Sequence, residues 1–160
     1  MPGEEAAGLG LVSPLSGESV QPAGIDLRVA EVYVLRGMGS LGGERLIPAG
    51  APVLPERGAW RLGPGAYRIR FLEAVRVPLW AAGFCYPRSS LLRSGVALHC
   101  AVWDPGYEGR GEALLVVHNP YGFALGVGER VAQIVFHRLC EPAKRGYKGA
   151  YQGEGLAEKP

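Results

Sequence analysis

Tyr67, Ile69 and Phe71 alternate with Arg68 and Arg70 in the segment GAYRIRFLE, the two-residue period of a strand with one buried face. Short alternating or β-branched segments of this kind recur along the whole chain. They predict strands over 26–36, 44–47, 51–54, 65–73, 75–86, 95–103, 111–118 and 130–139. The 25 glycines and 13 prolines spread between them leave few windows long enough for a helix. The pattern predicts an all-β fold, a sandwich or barrel of short strands.

One helix is predicted, in SSLLRSG, with Ser89 or Ser90 as its N-cap and Gly95 as its stop. It would aim backbone N–H groups at whatever lies in front of it, as anion sites do. In VWDPGYEG, Pro105 and Gly106 suit the central positions of a type II turn, so the flanking strands should form a hairpin with Asp104 and Tyr107 near its tip. Residues 141–160 lack an apolar stripe and are rich in glycine, lysine and tyrosine. A mobile tail following a 1–140 β domain is the expectation.

Composition narrows the function classes. At 160 residues, with 48% hydrophobic and 20% charged positions, the chain has the make-up of one soluble domain. No apolar run is long enough to span a bilayer, and Glu4 and Glu5 stand where a secretory leader would be basic, so a cytoplasmic protein with no membrane partner is expected. A formal net charge of +2 without a basic block argues against nucleic acid as a partner. Cys85, Cys100 and Cys140 are too widely spaced for a zinc or redox motif and are expected to be buried thiols. His99 and His118 are expected in the core.

Polar groups concentrate in four segments: AGIDLRV (23–29), PRSSLLRSG (87–95), VWDPGYEG (102–109) and GERVAQIVF (128–136). Singly, each has a plain explanation. An Asp opening a strand, an Asp-Pro and a Gly-Glu-Arg are ordinary turn features, and Arg88 suits a structural ion pair as well as it suits a phosphate. Their order and spacing carry more.

In this order the segments resemble motifs one to four of the trimeric dUTPase and dCTP deaminase superfamily. The matching residues are Gly24 to Leu27, Pro87 to Leu91, then Asp104, Gly106, Tyr107 and Gly109, and finally Gly128, Glu129, Arg130, Ala132 and Gln133. The resemblance implies a distorted jelly-roll (β-clip) with one short helix after the second motif, assembled as a homotrimer with active sites between subunits. It assigns the triphosphate to Ser89 and Gln133, supported by Arg88, Ser90 and Arg93. Lys148 and Gln152 match tail residues that close on the phosphates, with Tyr151 beside the nucleoside. Asp104 would orient or deprotonate a water, and Tyr107 would pack on the deoxyribose and leave no room for a 2′-hydroxyl. Mg²⁺ is the implied cofactor, carried on the phosphates, with Asp26 assisting through retained water.

Two chemistries share this family pattern, hydrolysis of dUTP to dUMP and pyrophosphate and deamination of dCTP. The deaminase glutamate lies three residues before an asparagine of Asn119 type, where this chain has Val116, and an aliphatic group cannot move protons. The expected activity is therefore dUTP diphosphatase of the deaminase-like, archaeal type. Two alternatives stand beside it: a dCTP deaminase, alone or bifunctional, using Glu112 on the same strand face, and a silent nucleotide-binding homologue. Asp104 comes two residues earlier than the family pattern has it, which a bulge near 108–110 could absorb; otherwise Glu112 gains weight.

Overall fold

Alternation becomes a sheet when each strand finds a neighbour that buries the same face. A computed structural model describes residues 1–156. The chain runs through α1 (Gly3–Gly8), β1 (Val12–Ser13), β2 (Val20–Gln21), β3 (Gly24–Arg36), β4 (Ala49–Pro52), β5 (Ala59–Leu62), β6 (Gly65–Phe71) and β7 (Ala74–Arg76). It continues through β8 (Ala81–Pro87), α2 (Ser89–Arg93), β9 (Val96–His99), β10 (Glu108–Gly109), β11 (Glu112–Val117), β12 (Phe123–Gly126) and β13 (Arg130–Arg138). The main sheet has the order β8-β13-β3-β6-β11-β9, with β2 and β4 also paired to β3. Two smaller sheets, β1-β7-β10 and β12-β5, complete a jelly-roll-like all-β fold.

β3 joins the two halves of the main sheet. Its first residues pair with β13 (Asp26 opposite Gln133), and its later ones pair with β6 (Val32 opposite Ile69). A register shift between Val29 and Glu31 lies at the changeover. It explains why the buried positions run Ile25, Leu27, Val29 and then skip to Val32: one extra residue resets which face points inward. The core is filled from these inward faces by Ile25, Leu27, Val29, Ile69, Phe71, Leu115, Ile134 and Phe136, all with no exposure. Each such side chain contributes roughly 1.5–3 kcal/mol on burial.

Several expectations need correction. Residues 44–47 form no strand; a single Ser40–Leu46 bridge closes a loop in which Gly42 and Gly43 take positive φ. The 75–86 segment is two strands, because the chain turns at Pro78, whose carbonyl accepts from the Ala81 N–H at 3.1 Å. The predicted 95–103 strand ends at His99. His99 and His118 are exposed, since Leu98 and Val117 take the inward positions beside them. Cys140 is exposed, while Cys85 and Cys100 are half-buried.

The short helix is in place, but its N-cap is Arg88 and no side chain caps it. Gly95 follows the C-cap Ser94 with φ of +73°, the left-handed stop expected of glycine there. Unpredicted elements are all short. α1 is held to the end of β13 by an Arg138–Glu5 ion pair and by the Met1 ammonium donating to the Phe136 carbonyl at 2.9 Å. Among the described residues no helix is long and apolar enough to cross a membrane.

Ile134 lies on β13 between β3 and β8, opposite Ile25 and Cys85. Replacing it with alanine is expected to cost about 2–5 kcal/mol, read as a lower denaturant midpoint with an unchanged slope.

Candidate active site

The first, second and fourth segments meet where three antiparallel strands run side by side. Gln133 of β13 stands opposite Asp26 of β3 on one side and Tyr86 of β8 on the other. Asp26 is only 2% exposed. Its Oδ1 accepts from the Gln133 amide at 3.1 Å, and its Oδ2 lies 3.3 Å from Arg88 Nε and 3.5 Å from Arg130 Nη1. Arg88 also donates to the Arg130 carbonyl at 3.3 Å, and Arg130 reaches the Glu18 carboxylate at 3.2 Å. Arg88 thus makes an ion pair with the buried carboxylate.

Beyond Arg88 the chain enters α2, and Ser89, Ser90 and Arg93 are exposed on it. A buried carboxylate is costly unless it is answered by opposite charge and hydrogen bonds, and here two guanidiniums and an amide answer it. They also fix the direction in which the serine loop leaves the sheet.

The third segment builds a second wall. Tyr107 N–H donates to the Asp104 carbonyl at 3.1 Å and Gly106 has φ of +85°, as a Pro-Gly type II turn requires. The flanking strands do not continue into the expected hairpin. β9 and β11 pair only as far as His99 and Leu114, and Glu108–Gly109 leave that ladder to pair with β7. Residues 108–110 therefore form no bulge within a β9–β11 hairpin; Glu108 and Gly109 are paired to Arg76 and Val75 instead.

Tyr107 is 6% exposed, edge-on to Trp103 at 5.2 Å and to Tyr147 at 5.9 Å. It borders a cavity of about 440 Å³ that Asp104, Glu112, Tyr151, Glu154 and Arg68 also line. Glu112 Oε1 is 2.7 Å from Arg70, and its Oε2 is 3.1 Å from Arg68 Nε, an ion pair whose N–H is not aligned for a hydrogen bond. Val116 lies on the same face of β11 as Glu112, between the buried Leu115 and Val117.

The described part of the tail, residues 141–156, runs along this loop; positions 157–160 of the expected 141–160 tail lie outside the described residues. Tyr147 N–H donates to the Pro105 carbonyl at 2.8 Å, and Gly153 N–H donates to the Glu108 carbonyl at 2.8 Å. The Gln152 side chain bonds Gly106 and Glu108, Tyr151 lies under the Arg45 guanidinium, and Lys148 is exposed. Glu154, which no motif marked, accepts from the Tyr107 hydroxyl at 2.8 Å. Burial and that bond push the Tyr107 phenol well above its ordinary value, and burial pushes the Glu154 carboxyl up.

The two walls do not meet within one chain. A bridge ties Trp103 to Gly83 on β8, and from there the loop bonds Val77, away from the Pro87 end. Four residues of strand, roughly 13 Å, separate Gly83 from Pro87. None of Arg88, Ser89 and Gln133 lines the cavity. Among the described residues no group of three His, Cys, Asp or Glu side chains could hold a metal. A Mg²⁺ ion that keeps much of its shell as water and phosphate oxygen needs no such group.

A family model described as dCTP deaminase-like matches residues 4–139. The chain belongs to the dCTP deaminase-like family. Its curated relatives in that family include an Aeropyrum pernix protein named probable deoxyuridine 5′-triphosphate nucleotidohydrolase, 51% identical over 96% of this chain and 98% of its own. A Methanocaldococcus jannaschii protein named deoxyuridine 5′-triphosphate nucleotidohydrolase is 40% identical over 87% of this chain and 90% of its own. Among solved structures, a 2′-deoxycytidine 5′-triphosphate deaminase from Agrobacterium tumefaciens superposes with a TM-score of 0.64 at 18% identity, over 84% of this chain and 46% of that one. That likeness bears on the fold alone.

In this dCTP deaminase-like chain, Asp26→Ala takes one acceptor from each of two half-buried guanidiniums, which keep the Arg130 carbonyl and Glu18, and from the Gln133 amide. A loss of about 1–3 kcal/mol is expected in denaturant unfolding, the lower end reflecting the water that still reaches both arginines.

Proposed function

We propose that the protein hydrolyses dUTP to dUMP and pyrophosphate, which keeps uracil out of DNA and supplies dUMP for dTMP synthesis. The observation that carries this reading over deamination is the outward face of β11. It presents aliphatic Val116 where a deaminase needs glutamate, and the neighbouring Glu112 is engaged by Arg68 and Arg70. The names of relatives that align over nearly their whole length support the same activity.

In this reading Asp104, exposed at the cavity mouth, orients a water and takes its proton as the water oxygen bonds the α-phosphorus. The bond from the α-phosphorus to the α,β-bridging oxygen breaks, and pyrophosphate leaves with that oxygen. Ser89, with Ser90, donates hydroxyls to the phosphates. Gln133 does so with its amide, and Arg93 adds positive charge. Arg88 acts from behind by holding the loop through Asp26. Bound Mg²⁺ would neutralise phosphate charge, and Asp26 would bear on it only through water. Tyr107 forms the surface against which the deoxyribose packs, with Tyr151 beside it.

The separation of the two walls along β8 supports a homotrimer in which the serine loop of one copy faces the Asp104 loop of another. Residues 1–140 form the β domain in this scheme, and 141–160 form a tail that closes on the site through Lys148, Tyr151 and Gln152. A substrate drawn from the nucleotide pool supports a cytoplasmic location.

Purified protein given dUTP or dCTP with Mg²⁺ is expected to release pyrophosphate from dUTP and no ammonia from dCTP, and Asp104→Asn to lower kcat by about 10²–10⁴-fold. Conversion of dCTP to dUTP without pyrophosphate would sink the proposal. Truncation after residue 140 is expected to leave the trimer intact by light scattering while depressing turnover; unchanged turnover would remove the tail from the site.

A further inference from the structure

Glu154 belongs to none of the four segments, yet it closes a ring of contacts around the Tyr107 side chain. Its carbonyl accepts from the Arg110 N–H at 2.7 Å, and Gly153 beside it donates to the Glu108 carbonyl at 2.8 Å. The tail backbone is therefore pinned to the loop on both sides of Gly109, just beyond Tyr107. From that backbone the Glu154 carboxyl reaches the Tyr107 hydroxyl at 2.8 Å. Gly109 shows how tight the arrangement is: a Cβ there would stand 2.7 Å from the Tyr107 hydroxyl and 3.1 Å from the Glu154 carbonyl.

The other contacts of the ring are edge-on aromatic ones, at 5.2 Å to Trp103 and 5.9 Å to Tyr147, which hold a ring in a region but tolerate tilt. The hydroxyl is the ring's one polar atom. With its partner anchored at the main chain, the ring cannot retreat from the cavity. Rigidity matters for sugar selection, because an apolar wall that can yield rejects an added hydroxyl only weakly.

We propose that Glu154 is a positioning residue that locks the tilt of Tyr107 and so sets the discrimination of deoxyribose from ribose. This rests on the reading of Tyr107 as the wall beside the sugar. A carboxylate, a carboxylic acid or an amide can each accept the phenolic hydrogen, so the function lies in the acceptor and its anchoring and not in charge.

The test compares binding of the α,β-imido analogues of dUTP and UTP, together with kcat and KM for dUTP and UTP, in the wild type, Glu154→Ala, Glu154→Gln and Tyr107→Phe. Glu154→Ala and Tyr107→Phe are expected to lower the deoxy-to-ribo preference about tenfold, mainly through KM and analogue affinity, while Glu154→Gln retains it. An unchanged preference in Glu154→Ala, whatever its loss of kcat or thermal stability, overturns the proposal. So does equal binding of the two analogues by the wild type. Because analogue binding needs no turnover, a wild type that prefers the deoxy analogue but releases no pyrophosphate from dUTP would count against the hydrolase reading alone.

Discussion

A carboxylate taken almost wholly out of water decides how this sheet is read by its surroundings. Asp26 lies inside β3 where the pairings to β2 and β13 converge, and its cost is offset only because Arg130 and Gln133 arrive from β13 and Arg88 from the N-cap of α2. Each of those three belongs to a segment that the sequence marks as functional. The ion-pair cluster therefore converts strand register into the position of the serine loop. Shift β13 by one residue against β3, and both Gln133 and Arg130 would leave the Asp26 face, so that only Arg88 still answered the carboxylate.

β8 acts as a spacer between the two parts of the site. Its far end carries the loop of Arg88 and Ser89, its near end is bridged to Trp103, and the strand between them cannot shorten. A single chain consequently holds the serine loop and the Asp104 loop at separate positions along β8. The tail adds to the second wall by its backbone, so the shape of the Tyr107 cavity depends on Glu154, 47 positions later in the chain. Glu112 illustrates the same point from the other direction. Considered alone on its strand it is an available carboxylate, but Arg68 and Arg70 of the adjacent β6 engage both its oxygens.

The long alternating strands were legible because alternation is a local consequence of one buried face. β3, β6, β11 and β13 fall within a few residues of their predicted bounds. Strands of two to four residues, such as β1, β5, β10 and β12, carry too few positions to show a period and exist because a distant partner accepts their hydrogen bonds. The break in 75–86 was written in Pro78, yet the apolar run around it concealed the turn. His99 and His118 were misplaced for a related reason: side-chain type suggested the core, whereas one-residue register put both outside.

By itself the sequence determined the fold class, the order of the four polar segments, the Pro-Gly turn beneath Tyr107 and an aliphatic Val116 on the strand that carries Glu112. Those are properties of residue type and spacing, and they survive without knowledge of any partner. Only the tertiary structure decided that Asp26 is buried and held by two arginines, that Glu108 and Gly109 change partner to β7, and that Glu154 reaches Tyr107. Each of these joins positions tens of residues apart, and a hydrogen bond or ion pair acts only through a few ångströms of space.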